Sequence, residues 1–202
     1  KFFLKDILFL SESKENAMNE TIQRIYVTGY QSYELGIFSE QDPRVQVIKN
    51  VLKKELTALI ENGLQWVMIS GSLGTEIWTG QVVNELKQDY PEIKLAIIFP
   101  FEAFGNNWKE HNQLLLSELV QTADYVDSVS HQPYQNPQQF KNHVNFLLQH
   151  TEAALLVYDN EYPGKSKFFL ADVEKFQEQN PYDLLTITMD DLENSSDFGD
   201  SV

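Results

Sequence analysis

Apolar runs of strand length alternate with segments of helical period along almost the whole chain, and this alternation limits what it can fold into. "RIYVTG" (Arg24–Gly29), "WVMIS", "KLAIIFP", "AALLVYD" and "DLLTITM" are apolar almost throughout, whereas strands with one wet face alternate in polarity. "YVDSVS" is a weaker sixth strand. Between the first two, Asp42-Pro43 supplies an N-cap and a first-turn proline, and Val45, Ile48, Leu52, Leu56, Leu59 and Ile60 then mark one helix face. Asn62-Gly63 closes that helix. Later helices carry Trp78, Val82, Val83 and Leu86; Leu115, Leu116, Leu119, Val120 and Ala123; and, after Asn136-Pro137, Phe140, Val144, Leu147 and Leu148. "KFFLADVEKF" is the last of them before the final strand. Strands and helices joined by short connections predict an α/β fold: a single Rossmann-like three-layer domain with a mostly parallel sheet covered by helices on both faces.

The predicted domain spans 18–192. Residues 1–17 read as an N-terminal extension, native or appended, and 193–202 as an acidic tail, with the chain from Asp190 onward expected to fray in solvent. The opening "KFFLKDILFL" is broken by Lys5 and Asp6 and makes a poor signal peptide, and no apolar run approaches the roughly 20 residues that span a bilayer. Thirty acidic against fifteen basic residues leave a formal charge of −15, which repels phosphate backbones and anionic membrane surfaces. Nucleic-acid and membrane partners are therefore disfavoured. Cysteine is absent, so there is no disulfide framework, thiolate metal site or cysteine nucleophile, and a cytoplasmic setting is the expectation.

In such sheets ligands bind beyond the carboxyl ends of the strands, where strand order reverses. Thr28, Gly29 and Tyr30 end the first strand, and the second ends in Ser70-Gly71-Ser72-Leu73-Gly74-Thr75-Glu76. Gly71 and Gly74 permit a tight turn close to a ligand, while Ser70, Ser72 and Thr75 offer hydroxyls. The free N–H groups of the following helix point at whatever the loop holds. The pattern is only G-x-x-G, so a simple strand-to-helix turn is the competing reading. Glu76, in the first turn, is expected to face a sugar hydroxyl and is one candidate acid–base group; Asp159, after "AALLVY", is the other.

Gly164-Lys165-Ser166 imitates the end of a Walker A motif, but Asp159 stands where its first glycine belongs, so Gly164 and Ser166 are expected only to help close the pocket. The histidines suggest no metal site: His143 and His150 lie two helical turns apart, and His111 and His131 stand alone. Tyr30, Tyr33, Phe38, Trp78, Phe101, Phe104, Trp108 and Tyr134 are expected around the crevice, with core packing as the competing reading for any single one and Trp78, Trp108 and Tyr134 as candidate stacking partners for a base.

Taken in order, "VTGYQSYELGIF", "ISGSLGTEIW", "FPFEAFGNNWKEHN", "SHQPYQNPQQFKNHVNFLL", "LLVYDNEYPGKSKF" and "ITMDDL" resemble the YpsA family of the SLOG superfamily from about Arg24 to Leu192. The resemblance implies a Rossmannoid fold, a nucleotide or nucleotide-derived ligand such as ADP-ribose, and a start at Met18. It also implies pocket roles for Gly29, Tyr30, Gly71, Gly74 and Glu76, with Trp78 in the same motif. The related LONELY GUY phosphoribohydrolases use Pro-Gly-Gly-x-Gly-Thr-x-x-Glu; here Ser70 replaces the proline and Trp78 the glutamate, which puts N-glycoside hydrolysis in doubt. The expected function is therefore binding or sensing of a nucleotide-type small molecule, with no certain cofactor. The alternative is a hydrolase of an N-glycosidic or phosphate bond. A homodimer or a protein partner is compatible with either.

Overall fold

A computed structural model describes residues 21–197, so the expected extension at 1–17, Met18 and the last residues of the acidic tail lie outside it. Six strands alternate with six helices: β1 (Arg24–Gly29), α1 (Pro43–Glu61), β2 (Trp66–Ile69), α2 (Thr75–Leu86), β3 (Lys94–Phe101), α3 (Glu110–Thr122), β4 (Tyr125–Ser130), α4 (Gln138–His150), β5 (Ala153–Val157), α5 (Lys167–Gln177), β6 (Asp183–Ile187) and α6 (Met189–Asp197). The sheet runs β4-β3-β2-β1-β5-β6 and every pairing is parallel. Helix α1 packs on α2 and α6, and α2 packs on α3, forming one layer. Helix α4 packs on α5 and on β1, β3 and β4, forming the other. No helix among the described residues is long and apolar enough to cross a membrane.

The sheet's centre explains its apolar sequence. All five residues of β5 are buried, and Ile25, Val27, Val67, Ile69, Leu95 and Ile97 are covered completely. β4 is the half-exposed edge, which is why "YVDSVS" reads weakly. Asp127 accepts the Ser128 amide and the Tyr125 hydroxyl, a charge on the edge strand of the kind that blunts a sheet edge. At the sheet's midline a Cβ on Gly29 would lie 2.6 Å from the Val157 carbonyl oxygen. Only glycine lets β1 and β5 finish side by side there.

Two expectations are corrected. Residues 190–197 do not fray: Asp191 and Thr188 exchange side-chain-to-backbone hydrogen bonds at the start of α6, and Leu192 is buried as that helix packs on α1. The acidic residues occupy a first turn, where the helix dipole favours them. Leu147 and Leu148 are buried as expected, but Phe140 is 44% exposed and α4 buries Gln139 and His143 in addition.

His143 is 4% exposed, with Nε2 2.7 Å from the Ile98 carbonyl oxygen, so the neutral ring donates to β3. Burial lowers its pKa from 6.5 to about 4, so the unfolded chain takes up a proton before the folded one does. Stability from this group is complete above pH 6.5 and falls as the pH drops towards 4, by roughly 3 kcal/mol in all. Urea unfolding of the protein and of His143→Gln between pH 7.5 and 4.5 should show a steeper acid loss for the parent than for the variant.

Candidate functional site

Strand order reverses between β1 and β5, which are neighbours in the sheet but far apart in sequence. The crevice at such a switch point is bounded by the β1–α1 loop, the β5–α5 loop and, one strand over, the β2–α2 loop.

The β2–α2 loop is held from beneath by Glu76. This side chain is 4% exposed, and both its oxygens are fully engaged. Oε1 accepts the Thr28 hydroxyl at 2.7 Å and the Tyr26 hydroxyl at 3.0 Å; Oε2 accepts the amides of Ser70 at 2.7 Å and Ser72 at 3.0 Å. Ser70 Oγ lies a further 2.8 Å from the Tyr26 hydroxyl. Burial pushes the Glu76 carboxyl above its ordinary range, against the pull of these four hydrogen bonds. Burial, and then the neighbouring Glu76 charge, push the Tyr26 hydroxyl well up. Glu76 thus faces inward to β1 and the loop amides, not outward to a sugar hydroxyl as expected.

The glycines also serve packing. Gly74 has φ +98, and a Cβ there would lie 2.7 Å from the Tyr30 carbonyl oxygen and against the Ser32 amide nitrogen. The close approach it allows is to the β1–α1 loop. Thr75 completes that junction, its amide and hydroxyl both donating to the Tyr30 carbonyl at 3.1 and 2.9 Å. Gly71 lies in the same way against Leu116 and Phe99.

Tyr30 crosses the switch point. It is 3% exposed, its ring stacks on Tyr158 at 5.9 Å, and its hydroxyl donates to the Tyr162 carbonyl at 2.7 Å while accepting the Asp159 amide at 2.9 Å. Gly164 sits against the same ring. Asp159 builds the turn: Oδ1 accepts the Glu161 amide at 2.8 Å and Oδ2 the Met189 amide at 3.2 Å. Ser166 is buried at the start of α5 and its side chain makes no cap.

The aromatic residues do not form one ring around the crevice. Trp78 is completely buried in α2, and its indole nitrogen donates to Glu40 at 3.2 Å, so it belongs to the core. The side chain points there because Trp78 lies on the same buried face of α2 as Val82. Phe38 is 83% exposed, and Tyr33 lies outside, with Lys165 Nζ 5.3 Å from its ring centroid. Trp108 and Tyr134 do come together, through Phe101 and Phe104, in a chain of ring contacts of 5.2 to 5.5 Å that also takes in Phe140. Phe99, 5.8 Å from Phe104, connects this cluster to Gly71. A separate depression of about 450 Å³, lined by Glu40, Asp42, Gln46, Lys49, Gln81 and Leu115, lies away from the switch point.

Three contributors have no motif to reveal them. Tyr26 reads as an ordinary strand residue, Glu34 as a polar loop residue and Gln139 as solvent-facing. Gln139 instead ties the loop before α4 to β4, accepting the Gln135 amide at 2.6 Å and donating to Ser130 Oγ at 2.8 Å. Among the described residues, no group of three or more His, Asp or Glu side chains is placed to hold a metal ion.

Comparison with known proteins follows the same outline. The YpsA family model, described as the YspA SLOG family, matches residues 25–192. A protein named UPF0398 protein from Enterococcus faecalis is 57% identical over 176 residues, 87% of this chain and 98% of the relative. Proteins of the same name from Pediococcus pentosaceus and Bacillus pumilus are 49% and 47% identical, covering 96% and 89% of those relatives.

The buried network makes Glu76 a stability determinant. Glu76→Ala leaves the Thr28 hydroxyl and two amides without their acceptor, and the Tyr26 hydroxyl with Ser70 Oγ alone, and should cost about 3 kcal/mol or more in urea unfolding. Gly74→Asp should lower the melting temperature sharply as well, because its side chain meets backbone rather than open crevice.

Proposed function

The chain belongs to the YpsA (SLOG) family, and from that premise we propose that it binds or senses a nucleotide-derived ligand of the ADP-ribose type at the carboxyl ends of β1, β2, β3 and β5. The observation that carries the reading is the β2–α2 loop. Its geometry is set in advance by Glu76, so no ordering cost falls on ligand binding. The Gly71 end of the loop touches Phe99 and through it the Phe101–Phe104–Trp108–Tyr134 cluster, which offers a base aromatic faces next to a polar loop. In this reading Ser72 and the β1 and β5 ends contact the sugar and phosphate portion, and Trp108 and Tyr134 contact the base. Trp78 supports α2 from the core. The formal charge of −15 favours a small molecule over a nucleic acid as partner.

The alternative, hydrolysis of an N-glycosidic or phosphate bond, requires an acid–base group that can reach the ligand. Glu76 is buried with four donors, and both Asp159 carboxylate oxygens accept backbone amides. That engagement favours binding over turnover.

Calorimetric titration with ADP-ribose, AMP, ATP and NAD tests the proposal. ADP-ribose should bind, and Tyr134→Ala, at a position 52% exposed, should weaken it by about 1–3 kcal/mol with little change in melting temperature. Absence of binding by all four ligands rejects the reading. Release of a cleaved product would transfer it to the hydrolase.

A further inference from the structure

The two sides of the switch-point crevice are joined by contacts of unequal strength. Tyr30 belongs to the floor, buried and bonded on both sides. The segment that follows, Gln31–Gly36, is tied differently. Glu34 reaches across: Oε1 accepts the Lys165 amide at 2.7 Å and Oε2 accepts the Gln31 amide of its own segment at 2.8 Å. Lys165 returns the contact through its ammonium over the Tyr33 ring. Within the segment Glu34 N donates to Gln31 O and Gly36 N to Tyr33 O, and the amide of the buried Ile37 donates to the Ser32 carbonyl at 2.9 Å. Tyr33 is 47% exposed, and Gly36, at φ +63, has nothing within 4 Å of the place a Cβ would take. The far end of the segment is itself anchored, because Arg44 donates to the Leu35 and Gly36 carbonyls, Leu35 packs against the core and the following Ile37 is buried.

We infer that the Tyr33–Glu34 tip of this segment is an autoinhibitory strap, latched shut across the β1–β5 crevice by Glu34 on the Lys165 amide. Its flanks are fixed at Ser32 and at Leu35–Gly36, so the tip swings without disturbing the sheet. The latch is one charge-assisted hydrogen bond and one cation–π contact at the surface, and such contacts break in local openings that leave the core folded. A ligand entering here must first displace Glu34, and its apparent affinity is reduced by the fraction of molecules in which the strap is open. The inhibitory role rests on the ligand reading proposed above; the latch itself does not.

The absence of cysteine supplies the test. Ser166, next to Lys165 and 8% exposed, becomes the single thiol in Ser166→Cys, and its rate of modification by a disulfide reagent under native conditions reports opening. Adding Glu34→Ala should accelerate modification about tenfold or more, with Glu34→Gln, which keeps one acceptor, in between. Equal rates, or rates that follow global unfolding in urea for every variant, overturn the strap. ADP-ribose titration of Glu34→Ala separates the two ideas. Tighter binding than the parent supports inhibition, and unchanged affinity despite faster modification overturns it. Faster modification with no ADP-ribose binding by either protein keeps the latch and rejects the ligand reading.

Discussion

Three elements meet at one buried carboxylate. Glu76 takes hydroxyls from Tyr26 and Thr28 on β1 and amides from Ser70 and Ser72 at the end of β2, while its own backbone begins α2. An isolated buried carboxylate would cost far more than a folded domain can spare, so the arrangement stands only as a complete set. The set dictates its surroundings. Tyr26 must sit where its hydroxyl reaches inward, the loop must curl so that two amides converge, and α2 must enter at one angle. Gly29 and Gly74 have no side chain because the backbone on either side is drawn too close for one.

This has a consequence for the site's chemistry. A glycine loop at a helix N-terminus ordinarily offers free amides to an anion. Here the chain's own carboxylate takes two of them. What remains for the proposed ligand is a fixed shape, a few hydroxyls and the aromatic surface beyond β3, so in that reading shape and stacking outweigh charge. A chain with twice as many acidic as basic residues is consistent with that balance.

The architecture was legible because alternating apolar runs and helical faces are determined by burial, which acts over the whole chain. The location of the candidate crevice follows from topology. The roles within it were harder to read. Gly74 and Glu76 stand out equally well in a loop that grips a ligand and in one that grips itself, and sequence spacing does not distinguish the two. Trp78 looks like a stacking residue until α2 is oriented, and only the packing of α2 on α1 turns it inward. Glu34 has no local signature because its partner, Lys165, lies 131 positions away. The tail from Asp190 was misread because charge density was weighed without Thr188, which converts the same acids into a helix start.

The crevice therefore has one rigid wall and one conditional wall. On the β2 side, buried hydrogen bonds converge on a carboxylate with almost no access to water, and movement there would cost much of the domain's stability. On the β5 side, the loops meet through Tyr30 below and through Glu34 at the surface. A binding protein benefits from this division: the rigid wall preserves the shape that a ligand recognises, and the conditional wall changes when it arrives. The exposed Tyr33 rides on the conditional wall, and Phe38 lies just beyond its Arg44 anchor, so displacement of the strap would alter the aromatic surface offered to a partner. A hydrolase has less use for that coupling than a sensor does, and the engagement of both candidate acid–base groups in loop construction points the same way.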